Sequence, residues 1–271
     1  MTGCSTGIGR ATALEAAARG HRVFASARRR EAVSDLGARG ITPLALDVTR
    51  PASIAEAVGE VLRSAERIDA LVNNAGYGQY GAIEDISLEE WRAQFEVNVF
   101  GAIAVLQAVL PAMRAARGGT VVNVSSVAGR VPIPFAGAYS ASKHALEAIS
   151  DALRVEVAPF GIRVVLVEPG PISTRFGDRA REATARILAS PGPYSRFYAG
   201  AEKASSEQFQ MGKRGPDAVA RVIVGAIESR RPKTRYRIAP LARILVPLRA
   251  LVPDRFFDRR MKKMLGLPDR V

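Results

Sequence analysis

Short apolar runs alternate with longer stretches of helical periodicity along this chain, up to about residue 240. The runs that we interpret as buried strands lie at residues 21–26, 42–48, 68–72, 120–124, 162–168 and 235–239. Alanine-rich or amphipathic segments of helical length separate them, as at residues 51–63. Because strands that alternate with helices build parallel sheets, the pattern predicts one α/β domain with a doubly wound parallel sheet.

Two segments interrupt this alternation. Residues 88–110 form a long apolar helical pattern that contains Asn98 and Gly101. A polar side chain on such a face is costly unless it is hydrogen-bonded, so we expect Asn98 to have buried partners. Between residues 175 and 215 the periodicity weakens, and Gly, Pro and Ser accumulate around aromatic residues such as Phe176. A segment of this length favours a substrate lid over a plain loop.

The tail, residues 241–271, combines an apolar helical stripe with many basic residues. The stripe consists of Leu241, Ile244, Leu245, Leu248 and Leu251. We therefore divide the chain into a catalytic domain at residues 1–240 and a helical extension at residues 241–271. Two interpretations of the extension stay open. It is either a helix packed on the domain or on a second copy in a homo-oligomer, or an interfacial helix on an anionic membrane.

The distribution of charge argues against a nucleic-acid partner. The 271 residues have a formal net charge of +13, and residues 230–271 contain 13 Lys and Arg against three Asp. The rest of the chain is nearly balanced, so no basic surface is predicted on the catalytic domain.

Composition narrows the remaining classes further. Cys4 is the only cysteine, and His21 and His144 are far apart, so no disulfide and no metal site is predicted. No apolar run approaches the length of about 18 residues that spans a bilayer, and no signal peptide precedes the first motif. We expect a cytoplasmic protein, with the tail as the segment that would contact a membrane.

Tyr139 and Lys143 are the strongest candidates for chemistry. They are four residues apart and share one face of a predicted helix. A tyrosine hydroxyl has a reference pKa of about 10, and a nearby ammonium favours the phenolate and lowers that pKa. Ser126, which follows the apolar run at residues 120–124, is placed to hydrogen-bond a substrate oxygen beside the tyrosine. The alternative is that this Tyr-Lys pair is only an exposed helix face.

A glycine-rich segment, TGCSTGIG, opens the chain and precedes a helical stretch. Glycines allow the backbone to turn tightly and approach a phosphate, and the positive end of a following helix attracts it. The phosphate-binding residues predicted here are Gly3, Ser5, Thr6, Gly7, Ile8 and Gly9. Glycine-rich turns are common, so this motif gains weight only from the helix and strand that follow.

Together with the later NNAG at residues 73–76 and the segment NVSSVAGRVPIPFAGAYSASK, these motifs resemble the short-chain dehydrogenase/reductase family. The matches run in family order from Thr2 to about Thr174, with weaker similarity to about Pro240. The resemblance implies a Rossmann-like fold and an oxidoreductase with a nicotinamide cofactor. It also implies that Asn98 supports a proton relay through a water beside Lys143.

The resemblance assigns the site residues as follows. The catalytic residues that it implies are Asn98, Ser126, Tyr139 and Lys143. Besides the glycine-rich segment, it places at the cofactor Asp47, Val48, Asn74, Ala75, Gly76, Tyr139, Lys143, Pro169, Gly170, Ile172 and Thr174. Tyr77 and Tyr80 lie in the segment that would form one wall of the substrate cleft.

Arg28 indicates which cofactor is bound. An acidic residue at the end of the second strand would bond a ribose 2′-hydroxyl and favour NAD, whereas arginine accommodates the 2′-phosphate of NADP. Ala27 stands at the position of the family's acid and Arg28 follows it, so we predict NADP(H). The alternative is a solvated basic loop.

The chain departs from the family at its start, because only Met1 precedes Thr2. The family has a central first strand there, so we expect that this strand is truncated here and that the natural chain starts upstream. Without that strand, neighbouring strands would lack hydrogen-bond partners.

The leading prediction is an NADP-dependent oxidoreductase that interconverts an alcohol with a ketone or aldehyde. The overall resemblance is to members that act on lipophilic small molecules such as steroids and retinoids, and also to 3-oxoacyl reductases. The alternative is a non-catalytic NADP-binding or membrane-associated scaffold. The intact set of Asn98, Ser126, Tyr139 and Lys143 disfavours it, because a scaffold needs no proton donor.

Overall fold

Parallel strands flanked by helices form the architecture of the protein. The computed structural model describes residues 1–172, 176–189, 192–198, 200, 215–239, 246, 248–249 and 251–268. The strands are β1 (Phe24–Ala27), β2 (Thr42–Ala45), β3 (Ala70–Asn73), β4 (Gly119–Val124), β5 (Ile162–Glu168) and β6 (Arg235–Arg237). β1 pairs with β2, and β3, β4, β5 and β6 pair in that order, all in parallel. The predicted α/β fold is confirmed.

Residues 1–4 connect the two ladders. The Thr2 amide donates to the Val72 carbonyl on β3 over 3.0 Å, and the Cys4 amide donates to the Ser26 carbonyl on β1 over 2.8 Å. The Ser26 amide in turn donates to the Met1 carbonyl over 3.0 Å. We expected β1 and β3 to lack hydrogen-bond partners at the truncated strand. Residues 1–4 supply some of these partners, because they hydrogen-bond to both strands.

Helices cover both faces of the sheet. They are α1 (Gly7–Ala18), α2 (Pro51–Ala65), α3 (Leu88–Phe95), α4 (Gly101–Ala115), α5 (Gly137–Val157), α6 (Phe176–Ala189), α7 (Pro216–Glu228) and α8 (Asp254–Leu265). Val121 on β4 packs in a cluster with α2, α4 and α5, whereas its neighbour Val122 packs in a cluster with α7. This alternation follows from the two-residue period of a strand, and it places the core on both sides of the sheet.

The long helical pattern at residues 88–110 is divided into two helices. A π-helical turn, Glu96–Phe100, joins α3 to α4, and it contains Asn98. By length and composition alone, the stretch Leu88–Ala115 is apolar enough to cross a membrane, which the sequence had not suggested. Val105, Val109 and Met113 pack in the core against the sheet, as expected for an internal helix of an α/β domain.

Several element boundaries differ from the prediction. β5 has the predicted bounds, but β1 begins at Phe24 and β2 ends at Ala45, so both are shorter than their apolar runs. The 3₁₀ segment Arg30–Arg39 was not predicted. In the stretch proposed as a substrate lid, where the helical periodicity weakened, α6 is a regular helix.

The tail is only partly described. α8 lies within this region, whereas Leu241, Ile244 and Leu245 of the predicted stripe lie outside the described residues. The boundary at residue 240 between a domain and an extension stays a prediction.

Candidate active site

The predicted Tyr-Lys pair lies in the first turns of α5. The Lys143 side chain is buried, and its Nζ donates to the Val124 carbonyl at the end of β4 over 2.9 Å. The same Nζ lies 5.9 Å from the centroid of the Tyr139 ring. β4 and α5 therefore bring the two side chains together on one face, as the spacing predicted.

Ser126 completes this group from the turn after β4. Its Oγ accepts from the Ala128 amide over 3.1 Å, which fixes the 3₁₀ turn Val127–Gly129. A Cβ at Gly129 would lie 2.8 Å from the Ser125 Oγ and 3.0 Å from the Lys143 carbonyl, so this turn packs tightly on α5. The Ser126 hydroxyl lies close enough to the hydroxyl of Tyr139 to lower its pKa. Ser126, Tyr139 and Lys143 thus form one cluster.

The titration of Tyr139 differs from the prediction. Burial raises the pKa of its hydroxyl, and the nearby Ser126 hydroxyl offsets only part of that effect. Burial also lowers the pKa of Lys143 to about 8, against which the Glu147 carboxylate acts. Burial disfavours the charged form of a lysine. The charge of Lys143, which was expected to lower the pKa of Tyr139, therefore depends on the groups around the ammonium.

Asn98 has the buried partners that the sequence required. Its Nδ2 donates to the Tyr77 carbonyl over 3.0 Å and to the Ser142 Oγ over 3.1 Å, and its Oδ1 accepts from the Tyr77 amide over 3.1 Å. The π-helical turn therefore ties the cleft wall to α5. A cavity of about 10 Å³ lies here, and its lining residues include Asn98, Lys143, Val124 and Thr2. That is close to the smallest volume that holds one water, roughly 10–15 Å³.

The glycine-rich segment forms a tight turn before α1. Gly3 has φ +70°, and a Cβ there would lie 2.8 Å from the Ala75 Cα. A Cβ at Gly9 would lie 2.4 Å from the Gly3 carbonyl oxygen. Thr6, the N-cap of α1, makes no side-chain capping bond, and the first turn contains no acidic residue. The amides at this helix end and its positive dipole therefore suit the phosphates of a nucleotide.

The NNAG segment supports that turn. Asn74 Nδ2 donates to the carbonyls of Thr2 and Gly3 over 3.2 and 3.0 Å. Asn73 Nδ2 donates to the Asn123 Oδ1 on β4 over 3.1 Å. The asparagines thus tie neighbouring segments together, Ala75 lies beside the glycine turn, and Gly76 lies against Asn98.

Arg28 follows the end of β1 and is exposed. Its neighbour Arg30 forms an ion pair with Glu60 over 2.6 Å, whereas Arg28 has no ion pair within the described part of the chain. Its guanidinium is therefore available to a phosphate. Asp47 is less available than predicted, because its Oδ1 already accepts from the amide and the hydroxyl of Thr49.

Further residues predicted at the cofactor lie beside the same cleft. Val48 is buried and packs closely against Gly101 at the start of α4. The Pro169 carbonyl accepts from the Val127 amide over 3.0 Å, which places the segment after β5 next to the Ser126 turn. Gly170 packs against Ala239, and Ile172 is buried. Thr174 lies outside the described residues.

Aromatic rings line the cleft beside Tyr139. The Tyr80 ring lies 6.2 Å from it in an edge-to-face arrangement, and the Phe176 ring lies 5.6 Å from it. α6 packs on the segment that contains Tyr80, whose amide donates to Thr184 Oγ1 over 3.2 Å. Both aromatics were candidates in the sequence, and the structure brings them next to Tyr139.

The sequence analysis missed Ser142 and Glu147. Ser142 receives the Asn98 amide, and Glu147 acts on the pKa of Lys143. On α5, Ser142 follows Tyr139 by three residues and Glu147 follows Lys143 by four, so each lies about one turn from a member of the Tyr-Lys pair. A polar residue at that spacing was the signal that could have identified them.

Comparison with known proteins agrees with this geometry. The family model described as short chain dehydrogenase matches residues 1–185. The chain belongs to the short-chain dehydrogenase/reductase family, a class of nucleotide-binding oxidoreductases with the Rossmann fold.

Three relatives illustrate the similarity. The chain is 37% identical to the uncharacterized oxidoreductase YbbO of Escherichia coli, over 96% of this chain and 91% of that protein. It is 35% identical to an NADPH-dependent 3-dehydrocapnine reductase of Ornithobacterium rhinotracheale, over 98% and 96%. It is 33% identical to a 3-ketodihydrosphingosine reductase of Bacteroides thetaiotaomicron, over 97% and 95%.

Solved structures show the same fold. A short-chain dehydrogenase from Streptomyces avermitilis is 34% identical, with a TM-score of 0.80 over 98% of this chain and 95% of that chain. A family member from Burkholderia phymatum in complex with NAD is 26% identical, with a TM-score of 0.81 over 93% and 92%.

Proposed function

We propose that this protein is an NADP(H)-dependent oxidoreductase that interconverts an alcohol with a ketone or aldehyde on a lipophilic substrate. The observation that supports this most is the cluster of Ser126, Tyr139 and Lys143 at the end of β4. Its two hydroxyls lie close together, and its ammonium is buried 5.9 Å from the centroid of the Tyr139 ring. A proton donor with a buried cation suits chemistry at an oxygen atom.

Tyr139 is the general acid in the reducing direction and the general base in the reverse direction. Its hydroxyl donates a proton to the substrate oxygen as the carbonyl becomes an alcohol. Ser126 donates a hydrogen bond to the same oxygen and so holds it beside the tyrosine. The charge of Lys143 stabilises the phenolate that remains. The nicotinamide, when bound, supplies or accepts the hydride.

The chain's own residues also fit NADP(H). The uncapped start of α1 and the close turn at Gly3 and Gly9 suit the pyrophosphate. Arg28 is exposed at the end of β1 without an ion pair among the described residues, and it is the group that would meet a 2′-phosphate. The NADPH dependence of the 3-dehydrocapnine reductase relative supports the same choice.

The lipophilic substrate class is supported by the cleft wall. Tyr80 and Phe176 present aromatic surface on both sides of Tyr139, and apolar surface of this kind favours an apolar substrate. Two relatives are reductases of 3-dehydrocapnine and of 3-ketodihydrosphingosine. We therefore favour substrates with an apolar portion next to the reacting carbonyl.

A panel of ketones and aldehydes tests the function. Each member is added to the protein with NADPH, and oxidation is followed by loss of NADPH absorbance. We expect turnover of lipophilic carbonyls in preference to small polar ones of equal reactivity. Binding of NADPH without turnover of any member would support the scaffold alternative.

α8 supports a peripheral contact with an anionic membrane. Its inner side is anchored by Leu265, which is 6% exposed, whereas Phe256 and Met264 are 57% and 45% exposed. Leu251, just before the helix, is 81% exposed. Exposed apolar side chains beside Arg259, Arg260 and Lys263 match an interfacial helix on anionic lipid. We therefore propose a cytoplasmic protein that associates with membranes through this helix.

A further inference from the structure

A buried ionic cluster lies directly behind the Tyr-Lys pair. The carboxylates of Glu147 on α5 and Glu168 on β5 are 4% and 0% exposed. Both contact the Arg235 guanidinium on β6, over 3.1 and 3.3 Å. Arg235 also pairs with Asp151 on α5, and Arg237 donates to Glu168 over 3.1 Å. Burying charged groups is costly even when they are paired, so a cluster at this position suggests a role beyond stability.

Glu147 links this cluster to the active site. It follows Lys143 by four residues, so the two side chains are neighbours on one face of α5, with Cβ atoms about 5–6 Å apart. Ser125, which immediately precedes Ser126, lies close enough to the Glu147 carboxylate to lower its pKa against the effect of burial. Glu147 thus lies next to Lys143 and close to the turn that contains Ser126.

The surroundings of Lys143 leave Glu147 as its counter-charge. The Val124 carbonyl faces it from β4, Asn98 lines the same small cavity from the π-helical turn, and Tyr139 lies on its own helix. Among these described neighbours, Glu147 is the carboxylate that raises the lysine pKa against the effect of burial.

We propose that Glu147 is a positioning residue that keeps Lys143 protonated in the range where the enzyme works, and that Arg235 holds Glu147 in its ionised form. The consequence for the reaction rests on the oxidoreductase function proposed above, but the effect on the lysine does not. Burial raises the pKa of Glu147 and the neighbouring Glu168 adds to that rise, whereas Ser125 and Arg235 oppose it and favour the ionised carboxylate. Asp151, Arg154 and Arg237 complete the charges around that group.

The direction of the effect follows from electrostatics. Removal of the Glu147 charge disfavours the ammonium, so the pKa of Lys143 falls below its value of about 8. Above the new pKa the lysine is neutral and no longer stabilises the phenolate of Tyr139. The alkaline limb of the rate profile therefore moves to lower pH.

Glu147→Gln tests this, with Asp151→Asn as the matched control. Both changes replace a carboxylate of the same helix that contacts Arg235, but Asp151 is two turns from Lys143. The lysine pKa is measured without cofactor, by NMR titration of side-chain carbons in lysine-labelled protein. The chain has only six lysines, and the spectrum of Lys143→Arg assigns the signal of Lys143.

We expect Glu147→Gln to lower the pKa of Lys143 by roughly half a unit to two units, whereas Asp151→Asn changes it by a few tenths at most. Glu147→Asp retains the charge one methylene further back, so its lysine pKa should fall between those of the wild type and of Glu147→Gln. If Glu147→Gln does not fold, the comparison of Glu147→Asp with the wild type decides. An unchanged lysine pKa overturns the proposal, as does an equal shift in Asp151→Asn.

The rate profile tests the consequence separately. With a carbonyl substrate from the panel, the alkaline limb of kcat in Glu147→Gln should move by the same amount as the lysine pKa. A shifted lysine with an unshifted limb overturns the catalytic consequence. If no carbonyl is turned over, the proposed function fails, while the titration of Lys143 still decides the role of Glu147.

Discussion

Tyr139 is the side chain whose hydroxyl gives up a proton in the proposed reaction and later regains one. Tyr139→Phe keeps the ring and its contacts with Tyr80 and Phe176 but removes the proton donor. We expect turnover to fall by about 100-fold or more, while NADPH affinity changes little. Steady-state rates and fluorescence titration with NADPH measure the two effects.

Tyr236→Phe is a suitable control, because that hydroxyl on β6 only accepts from the Lys233 amide. It should leave turnover within a factor of about two, because it removes one hydroxyl outside the proposed catalytic group and keeps the partly buried ring. Retention of more than a few per cent of activity in Tyr139→Phe would contradict the assignment.

Arg28 is the residue that should distinguish the two nicotinamide cofactors. Arg28→Ala removes the guanidinium that would meet a 2′-phosphate, and we expect NADPH binding to weaken by roughly 1.5–3 kcal/mol. NADH, which lacks that phosphate, should bind nearly as before. Dissociation constants for both cofactors, measured on wild type and variant, give the answer.

Arg30→Ala provides the comparison for Arg28, since Arg30 lies two residues further on and already pairs with Glu60. It should affect both cofactors slightly and equally. If Arg28→Ala weakened NADPH and NADH to the same extent, Arg28 would serve packing and not cofactor choice.

For single residues, the sequence indicated the candidate site residues but not the shifts in their pKa values. Tyr139 and Lys143 were proposed from their four-residue spacing and Ser126 from its position after an apolar run, whereas the resemblance to the family added Asn98 to the catalytic set. The rise in the pKa of Tyr139 was not predictable, because it results from burial, which depends on parts of the chain distant in sequence. Glu147 was missed for the same reason, since its partner Arg235 is 88 residues away.

α8 is the element with the most direct test. If it lies on membranes, the protein should sediment with vesicles that contain anionic lipid and detach at high salt, because each basic residue near the surface contributes about 1 kcal/mol. Phe256→Asp should reduce that binding, since it places a negative charge on the exposed apolar side. Phe160→Asp, at a side chain that is 40% exposed elsewhere on the protein, is the matched control.

Truncation separates the two interpretations of the tail. Leu265 is buried, so removal of residues 241–271 should lower the melting temperature whichever is correct. Loss of a dimer or larger assembly on truncation, with no vesicle binding in the intact protein, would favour a subunit contact instead.

The bounds of β5 were predictable from its apolar run, whereas those of β1 were not, although both strands are buried. β5 is buried along nearly its whole length and has the bounds of its apolar run. β1 and β2 are shorter than theirs, since at each of them only four residues pair. The 3₁₀ segment at residues 30–39 buries only Val33 and Leu36, so its sequence showed no clear period.

The stability of the whole molecule should reflect the cost of burying Lys143. Its pKa is lowered to about 8 in the folded protein, whereas an unfolded lysine titrates near about 10.4. Between these values the unfolded chain binds the extra proton, so this lysine makes stability rise with pH. From pH 7 to about 9.5 the contribution is roughly 2 kcal/mol, as an order of magnitude.

Lys143→Met isolates that contribution. Urea unfolding at several pH values should show that the free energy of unfolding of the wild type, relative to the variant, increases from pH 7 to about 9.5. The difference matters because Tyr139 and other buried tyrosines, whose pKa values are raised, act in the opposite direction at higher pH. A constant difference between the two proteins would contradict the lowered lysine pKa.

The doubly wound arrangement of the whole chain was predictable from the alternation of strands and helices. The connection through residues 1–4 was not, because it depends on hydrogen bonds to strands that follow much later. The substrate class is the least predictable property, since it depends on how α6 places Phe176 beside Tyr139.

The π-helical turn at Glu96–Phe100 sets the rotational phase of α3 relative to α4. Val105 and Val109, which pack in the core, fix the orientation of α4. Gln94 fixes the orientation of α3, because its side chain hydrogen-bonds to the backbone of Gln79 and Tyr77. Deleting one residue from the turn would rotate α3 by about 100° against α4. Gln94 would then leave the wall, so single-residue deletions there should be far more damaging than substitutions of exposed positions in the same turn.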